Sequence, residues 1–505
     1  MIGSQTKQLQ IVAIAAGVLG SLLSFAINSP SASAQLNSYC QLNQAEVTRK
    51  ENLRQALFKG DEQVRQQYEA LVQQHANQMQ NCRNRTWPKQ QATWIRLYPC
   101  DLESGVLEAV LDRIVNLGYN NVYVEVFYGG QVLLPAASNP TVWPSIVQAR
   151  GYEHRDLLAE AIEKGHQRGL DVSAWMFTLN FGYSYAQRPD RQQVIARNGL
   201  GEDALSYAAR GASSNPEEVF VDPYSPLAQQ DFRRLTQAVV QRNPDGMLFD
   251  YIRYPRGTGT GSVADDVSDL WIYGNSAQQA LYRRALNNKG LELIRRYLRR
   301  GYLTDADIDE INRLYPGEGE PMWQSRVPPT SGNGLPTTVQ RPQLQQELWL
   351  LSVAHAVQGV VDFLEQVAQP VQREGVPVGA VFFPGGNRPV GARGYDSRLQ
   401  HWNRFPTWMA WHPMAYGVCG DTSCIVSEIR EVIAQAGPGA ATAVKPAIAG
   451  AWGQAFGNRP ALETQMQAIQ RAAPQINSVS HFAFSWQDPE FDRVRKFCQL
   501  PEPRN

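Results

Sequence analysis

The rhythm of apolar and polar positions changes once along this chain, near Trp94. Before it, residues 41–82 are polar and Gln-rich, and Leu53, Ala56, Leu57, Val64, Tyr68 and Leu71 recur at helical spacing. That spacing predicts one or two helices joined near Gly60-Asp61, a small appendage or a cover for the bottom of a larger body. Beyond it, short apolar runs alternate with amphipathic stretches, the pattern of an α/β fold on a parallel sheet. The runs Trp94–Tyr98, Asn121–Phe127, Leu170–Phe177, Gly246–Asp250, Val376–Phe383, Trp408–Pro413, Ala441–Ala449 and His481–Trp486 predict eight strands. Ser104–Asn116, Arg155–Arg168, Pro226–Arg242, Ile425–Ala436 and Ala461–Ala473 predict helices between them. Eight strands with helical crossovers predict a (β/α)8 TIM barrel over residues 91–500, with a helical segment at 35–90. A doubly wound open sheet is the alternative, but no G-x-G-x-x-G follows the first strand.

One interval exceeds a barrel crossover, the stretch 251–375 between the fourth and fifth strands. Residues 256–264 form a Gly/Thr/Ser loop, 276–316 read as helices with Thr304 and Asp307 as a capping box, and 317–342 are rich in Pro and Gly. Leu344–Val367 then reads as a long helix into strand five. An insertion after a strand's C-terminal end is expected to cover the active-site face, so residues 256–343 are read as a lid or wall.

Compartment comes from the N-terminus. Lys7 is the only charged residue before Glu46, an apolar run spans Ile11 to Ile27, and Ser-Ala-Ser-Ala precedes Gln35. This is the three-part pattern of a secretory signal at 1–34, cleaved after Ala34, for a secreted or periplasmic bacterial protein. Membrane contact is expected only if that segment stays uncleaved. All six cysteines follow it, and an even number in an exported chain suggests disulfides. Cys419 with Cys424, Cys40 with Cys82 and Cys100 with Cys498 is the preferred pairing among the 15 that six cysteines allow. With neither a C-x-x-C pair nor H-E-x-x-H, no metal and no cofactor are expected. Charge is balanced, 47 Lys+Arg against 47 Asp+Glu, so nothing points to a nucleic-acid partner.

The sharpest chemistry lies in Asp245-Gly246-Met247-Leu248-Phe249-Asp250-Tyr251-Ile252-Arg253-Tyr254-Pro255. A carboxylate at the C-terminal end of a barrel strand faces the site, which selects Asp250; the alternative is an ion pair with Arg253. Asp245, at the strand's start and of opposite parity, reads as structural. Glu125, in Val-Tyr-Val-Glu-Val-Phe, could face the barrel interior as a partner carboxylate, or form a structural ion pair there. Trp175, Trp411, Tyr416, Trp452 and Trp486 sit at strand ends as core or as stacking faces for sugar rings, with Arg253, Tyr254, Asn387 and His412 beside them. Asp488 is either a site residue or an N-cap for the helix at Pro489, Asp222 a cap for the helix at Pro226, and His355 a core histidine. Arg283 through Arg300 read as a solvated helix face.

The strand-four segment resembles the signature of glycosyl-hydrolase-like family 10, bacterial TIM-barrel proteins. Val221-Asp222-Pro223-Tyr224-Ser225-Pro226, the stretch from His154 to Trp175, Trp402, and His412-Pro413-Met414-Ala415-Tyr416 resemble other segments of that family in the same order. Members often carry a second acidic residue beside the strand-four Asp, where this chain has Tyr251. The resemblance implies a glycoside hydrolase acting on an envelope or extracellular polysaccharide, with Asp250 catalytic and Glu125 its partner, since such hydrolysis uses two carboxylates. A single carboxylate suffices where an acetamido group of the substrate is the nucleophile. The competing class is a barrel that binds envelope glycans without cleaving them. A third reading makes the barrel an assembly scaffold.

Overall fold

A computed structural model describes residues 39–500 apart from Ser214, 329–334 and 438–442. The apolar run and the cleavage site at Ala34 lie outside the described residues. Eight parallel strands make up the body: β1 (Gln90–Ile95), β2 (Asn121–Tyr128), β3 (Asp171–Phe177), β4 (Gly246–Asp250), β5 (Val378–Phe382), β6 (Ala410–Pro413), β7 (Ala447–Ala449) and β8 (Ser478–Phe482). Each pairs with its sequence neighbours, and β8 pairs with β1. Parallel bridges Trp411–Val444 and Met414–Ala447 join β6 to β7 and close the ring. This is the (β/α)8 barrel that the apolar rhythm predicts.

The first and last strands begin earlier than their apolar runs. Gln91, Ser478 and Ser480 are buried there, and Ser480 Oγ accepts from Trp94 Nε1 at 3.0 Å. Strand alternation then sorts two cores. Ala92, Trp94, Tyr123, Trp175, Leu248, Val381, Met414 and Ala447 fill the interior, while a larger apolar shell lies between strands and helices.

The crossover helices start where local chemistry dictates. Ser225 caps the helix Pro226–Val240, with proline in its first turn, and Asp156 caps Leu157–His166 by accepting from Ala159 N at 3.0 Å. Asp222 does not cap the Pro226 helix. Its oxygens accept from Tyr224 N at 2.9 Å and Ala277 N at 2.8 Å, so it caps the insertion helix Asn275–Tyr282, because the fold brings that helix start against it. Asp245 is structural as read, bonded to His166 Nε2 at 2.8 Å and Val172 N at 2.6 Å.

The insertion differs from its reading as a lid. Helices Asn275–Tyr282, Asn288–Arg300 and Asp305–Leu314 pack along the flank of the long helix Thr337–Arg373. His355 of that helix is a core histidine: its ring stacks on Tyr224 at 4.3 Å, Nδ1 accepts from Arg284 at 2.9 Å, and Nε2 donates to Ala277 O at 2.9 Å. The apolar stripe of Thr337–Arg373 draws these helices to the barrel's side. The Val263–Ala264 ladder pairs with Gly394–Asp396 in the loop after β5. Of the basic run, Arg296 pairs with Asp307 and Glu310, and Arg295 with Glu292.

The appendage forms two helices, Gln44–Phe58 and Arg65–Arg85, separated by a turn at Gly60-Asp61. The disulfides are Cys40–Cys82, Cys100–Cys498 and Cys419–Cys424, with Cα separations of 5.8, 6.2 and 6.2 Å. Cys100–Cys498 ties the turn Pro99–Leu102 that follows β1 to the segment after the helix Pro489–Lys496, across 398 residues. Replacing both cysteines by serine is expected to lower the urea midpoint, a loss of about 2–5 kcal/mol. An unchanged midpoint under oxidising conditions would count against that cross-link.

Candidate active site

Asp250 ends β4 on the inward parity of Leu248, at the C-terminal mouth where barrel sites are built. It is 6% exposed. Its Oδ2 accepts from Trp175 Nε1 at 3.1 Å and its Oδ1 from Tyr251 N at 2.6 Å. Tyr251 takes a left-handed φ of 52°, uncommon for a side chain of its size, and this turn aims its N–H at the carboxylate. Burial pushes the Asp250 carboxyl up to about 6; the two hydrogen bonds and Arg253 pull it down, and the charge of Glu218 adds to the rise.

Glu125 also faces inward, on β2 two strands away, and is 1% exposed. A register shift between Glu125 and Phe127 marks a bulge, a device that re-aims side chains near sites. Arg96 Nε donates to Glu125 Oε2 at 2.6 Å, while among the described residues Oε1 is buried without a partner. Burial raises the Glu125 carboxyl, Arg96 opposes that, and Asp250 reinforces it. Both readings of Glu125 therefore meet in one residue: it is ion-paired, and it senses Asp250.

A third carboxylate is present that the sequence reading missed. Glu218 lies in the loop between β3 and the helix at Pro226, at the same end of the barrel as Asp250, and is buried. Its Oε1 accepts from Asn215 Nδ2 at 2.9 Å and lies 3.8 Å from Arg253 Nη2. Arg253 is buried, with its guanidinium 4.4 Å above the Tyr251 ring and 5.5 Å from that of Phe220. Three carboxylates thus share the mouth with two guanidinium groups, those of Arg96 and Arg253.

Aromatic side chains wall this mouth. Phe177 stacks on Tyr251 at 4.0 Å, Tyr416 and Trp486 pack on Phe482 at 5.8 and 5.6 Å, and Phe456 stacks on Trp486 at 4.5 Å. Arg459 holds the loop after β6 by donating to Tyr416 O at 3.1 and 2.9 Å. Burial raises the Tyr416 phenol, and the charge of Asp250 contributes.

Of the residues picked from sequence, the fold gathers Asp250, Glu125, Trp175, Arg253, Tyr416 and Trp486. It sends others elsewhere. Trp411 has the opposite parity to His412 and packs outside the barrel on Phe382 and Trp402 at 6.0 and 5.6 Å. His412 points in, but against Tyr123 at 5.7 Å; Gly379 makes room for it, since a Cβ there would meet its Nε2 at 2.7 Å. Trp452 turns outward to Tyr39 and donates to Tyr119 OH at 3.2 Å. Tyr254 is buried beneath the long helix, donating to Ala356 O at 3.3 Å. Asn387 donates to Asn403 at 3.1 Å at the surface. Asp488 pairs with Arg113 of the first crossover helix rather than reaching the mouth. Arg96 was missed although its parity matches inward-facing Trp94, and Phe482 likewise continues the parity of Ser480. Glu218 carries no periodic signal at all. A polar cavity of about 520 Å³ lined by Tyr207, Arg210, Asp269 and Trp271 opens between the 198–212 and 258–271 loops, lined by none of the three carboxylates.

No curated protein matches the chain. Among solved structures, similar ones include a hypothetical protein from Ruminiclostridium thermocellum, at 15% identity over 32% of this chain and 77% of that one, TM-score 0.25. A GH20 exo-β-N-acetylglucosaminidase from Vibrio harveyi aligns at 9% identity over 81% of this chain and 52% of its own, TM-score 0.40. A GH18 chitinase from Pseudoalteromonas aurantia aligns at 9% identity over 80% and 98%, TM-score 0.35. Residues 80–288, which carry β1 to β4 with Glu125, Glu218 and Asp250, match the sequence model of the family Glycosyl hydrolase-like 10, the family that the strand-four segment resembles.

Proposed function

We propose that this chain is an exported glycoside hydrolase that cleaves a cell-envelope or extracellular polysaccharide by carboxylate acid/base catalysis. One observation carries the reading: Asp250, inward at the barrel's C-terminal mouth, is poised near pH 6 beside further carboxylates and a wall of aromatic rings. A carboxyl with that value holds a proton to give to a leaving glycosidic oxygen, as a general acid must. The rings offer flat apolar faces to pyranoses, and Arg96 and Arg253 offer N–H donors to their hydroxyls. Export is supported by the apolar leader at 11–27 and by six cysteines in three disulfides.

The sign of the pH dependence follows. The acid is competent while protonated, so kcat/KM is expected to fall as pH rises through about 6. Release of reducing ends from peptidoglycan and a panel of bacterial polysaccharides, followed from pH 4 to 9, checks this; a rate still rising above pH 8 would remove Asp250 from the role. The near-complete burial of Asp250 and Glu125 favours a second reading, a barrel that binds glycans without cleaving them. That reading is selected if a polysaccharide binds and no reducing ends appear.

A further inference from the structure

Glu125 is the partner carboxylate that the sequence offers, yet its surroundings differ from those of Glu218. Arg96 occupies Glu125 at 2.6 Å and is itself stacked 3.8 Å over Tyr128. Along the ladders Glu125 lies opposite Trp175, and Trp175 opposite Leu248, two residues before Asp250. It is deep, and its strongest bond is already made.

Glu218 comes from the loop after β3, on the face from which a substrate enters a barrel. Its loop is pinned: Asn180 Oδ1 accepts from Val219 N at 3.0 Å, and Val219 O accepts from Phe181 N at 2.8 Å. Asn215 and Arg253 hold Oε1, the Tyr251 hydroxyl faces the carboxylate, and among the described residues Oε2 is buried without a well-formed hydrogen bond. A buried carboxylate oxygen short of a donor is costly; Glu125 Oε1 shares that state, and what sets Glu218 apart is its place on a loop at the barrel's mouth. Arg253 links this carboxylate to the Tyr251 turn, whose N–H is on Asp250.

We infer that Glu218 is the second catalytic carboxylate, working opposite Asp250, and that Glu125 is a positioning residue that sets the charge around Asp250. The inference rests on the hydrolase reading above. In the reaction Asp250 gives its proton to the glycosidic oxygen as the bond to the anomeric carbon breaks. Glu218 takes a proton from the water that attacks that carbon, or bonds to the carbon itself. In the first course Glu218 then loses its proton to solvent and Asp250 regains one from it; in the second, water releases the sugar from Glu218 and returns a proton to Asp250, so either course restores both groups.

The test uses the full chain and two readouts. The first is carbon NMR titration of Asp250 with labelled aspartate. Glu218→Gln removes a neighbouring negative charge and is expected to lower the Asp250 midpoint by about 0.5–1 pH unit. Glu218→Asp keeps the charge and leaves the midpoint in place. The second readout is reducing-end release from the polysaccharides that the native chain cleaves. Both variants are expected to lose about 100- to 10,000-fold; if Glu218 bonds to the anomeric carbon, sodium azide is expected to restore part of the Glu218→Gln cleavage, read as shortening of the polymer with a glycosyl azide end. An unmoved midpoint in Glu218→Gln, or either variant retaining a tenth of native activity, overturns the role of Glu218 and leaves the hydrolase reading standing. A native chain that cleaves nothing on the panel overturns both, and the titration then still reports whether Glu218 faces Asp250.

Discussion

Asp250→Asn is expected to lower kcat/KM for polysaccharide cleavage by about 100- to 10,000-fold, with binding retained. The amide keeps an acceptor for Tyr251 N–H or the Trp175 indole, so the mouth keeps its shape. What is lost is the proton. The same substitution is expected to stabilise the fold, because the native carboxyl ionises at a cost. Its folded value of about 6 lies above the ordinary 3.8, so its contribution is fully present below pH 3.8 and is lost as pH rises through 6. At pH 7 the ionised, buried Asp250 costs roughly 3 kcal/mol. Urea unfolding is therefore expected to show Asp250→Asn more stable than native at pH 7 and no different from it near pH 4. Lost activity together with gained stability separates a functional carboxylate from a structural one. A variant that loses stability at pH 7 would place Asp250 among the structural ion pairs instead.

Asp112→Ala is expected to be the most destabilising of the substitutions considered, by about 3–5 kcal/mol. Asp112 is buried on the first crossover helix, Val106–Asn116. Arg168 Nε donates to its Oδ1 at 2.9 Å, Tyr68 OH donates to Oδ2 at 2.8 Å, and buried Lys50 lies 3.8 Å away. Burial pulls the Lys50 ammonium down to about 8 even with Asp112 beside it. Without the carboxylate Lys50 can shed its proton, but Arg168 cannot, and a buried guanidinium is left with no counter-charge. Lys50 and Tyr68 belong to the two appendage helices, so this cluster also clamps the appendage to the barrel. Hydrogen exchange is expected to rise first in 44–85, and urea unfolding reads the total; a loss below 1 kcal/mol would show that the clamp lies elsewhere.

Periodicity along each element was legible without the fold. Alternation in Val-Tyr-Val-Glu and Met-Leu-Phe-Asp fixes which side chains share a face, so strand number, the inward aim of Asp250 and Glu125, and the structural part of Asp245 are properties of local order. The same rule says that Trp411 and His412 cannot both face in. Capping is equally local, as Thr304 with Asp307 shows. What alternation cannot carry is the distance between elements. Asp222 caps a helix more than fifty residues on, and the insertion lies along Thr337–Arg373 because an apolar helix face outcompetes a position over the polar mouth. Glu218 sits in an aperiodic run, Asn215-Pro216-Glu217-Glu218, and becomes a neighbour of Arg253 only when Asn180 and Phe220 pin its loop beside Arg253, just past the end of β4. Strand number and the first carboxylate follow from short-range sequence, since each residue's facing depends on its own strand. The second carboxylate was decided by tertiary packing, since its position depends on residues far along the chain that converge only in the closed barrel.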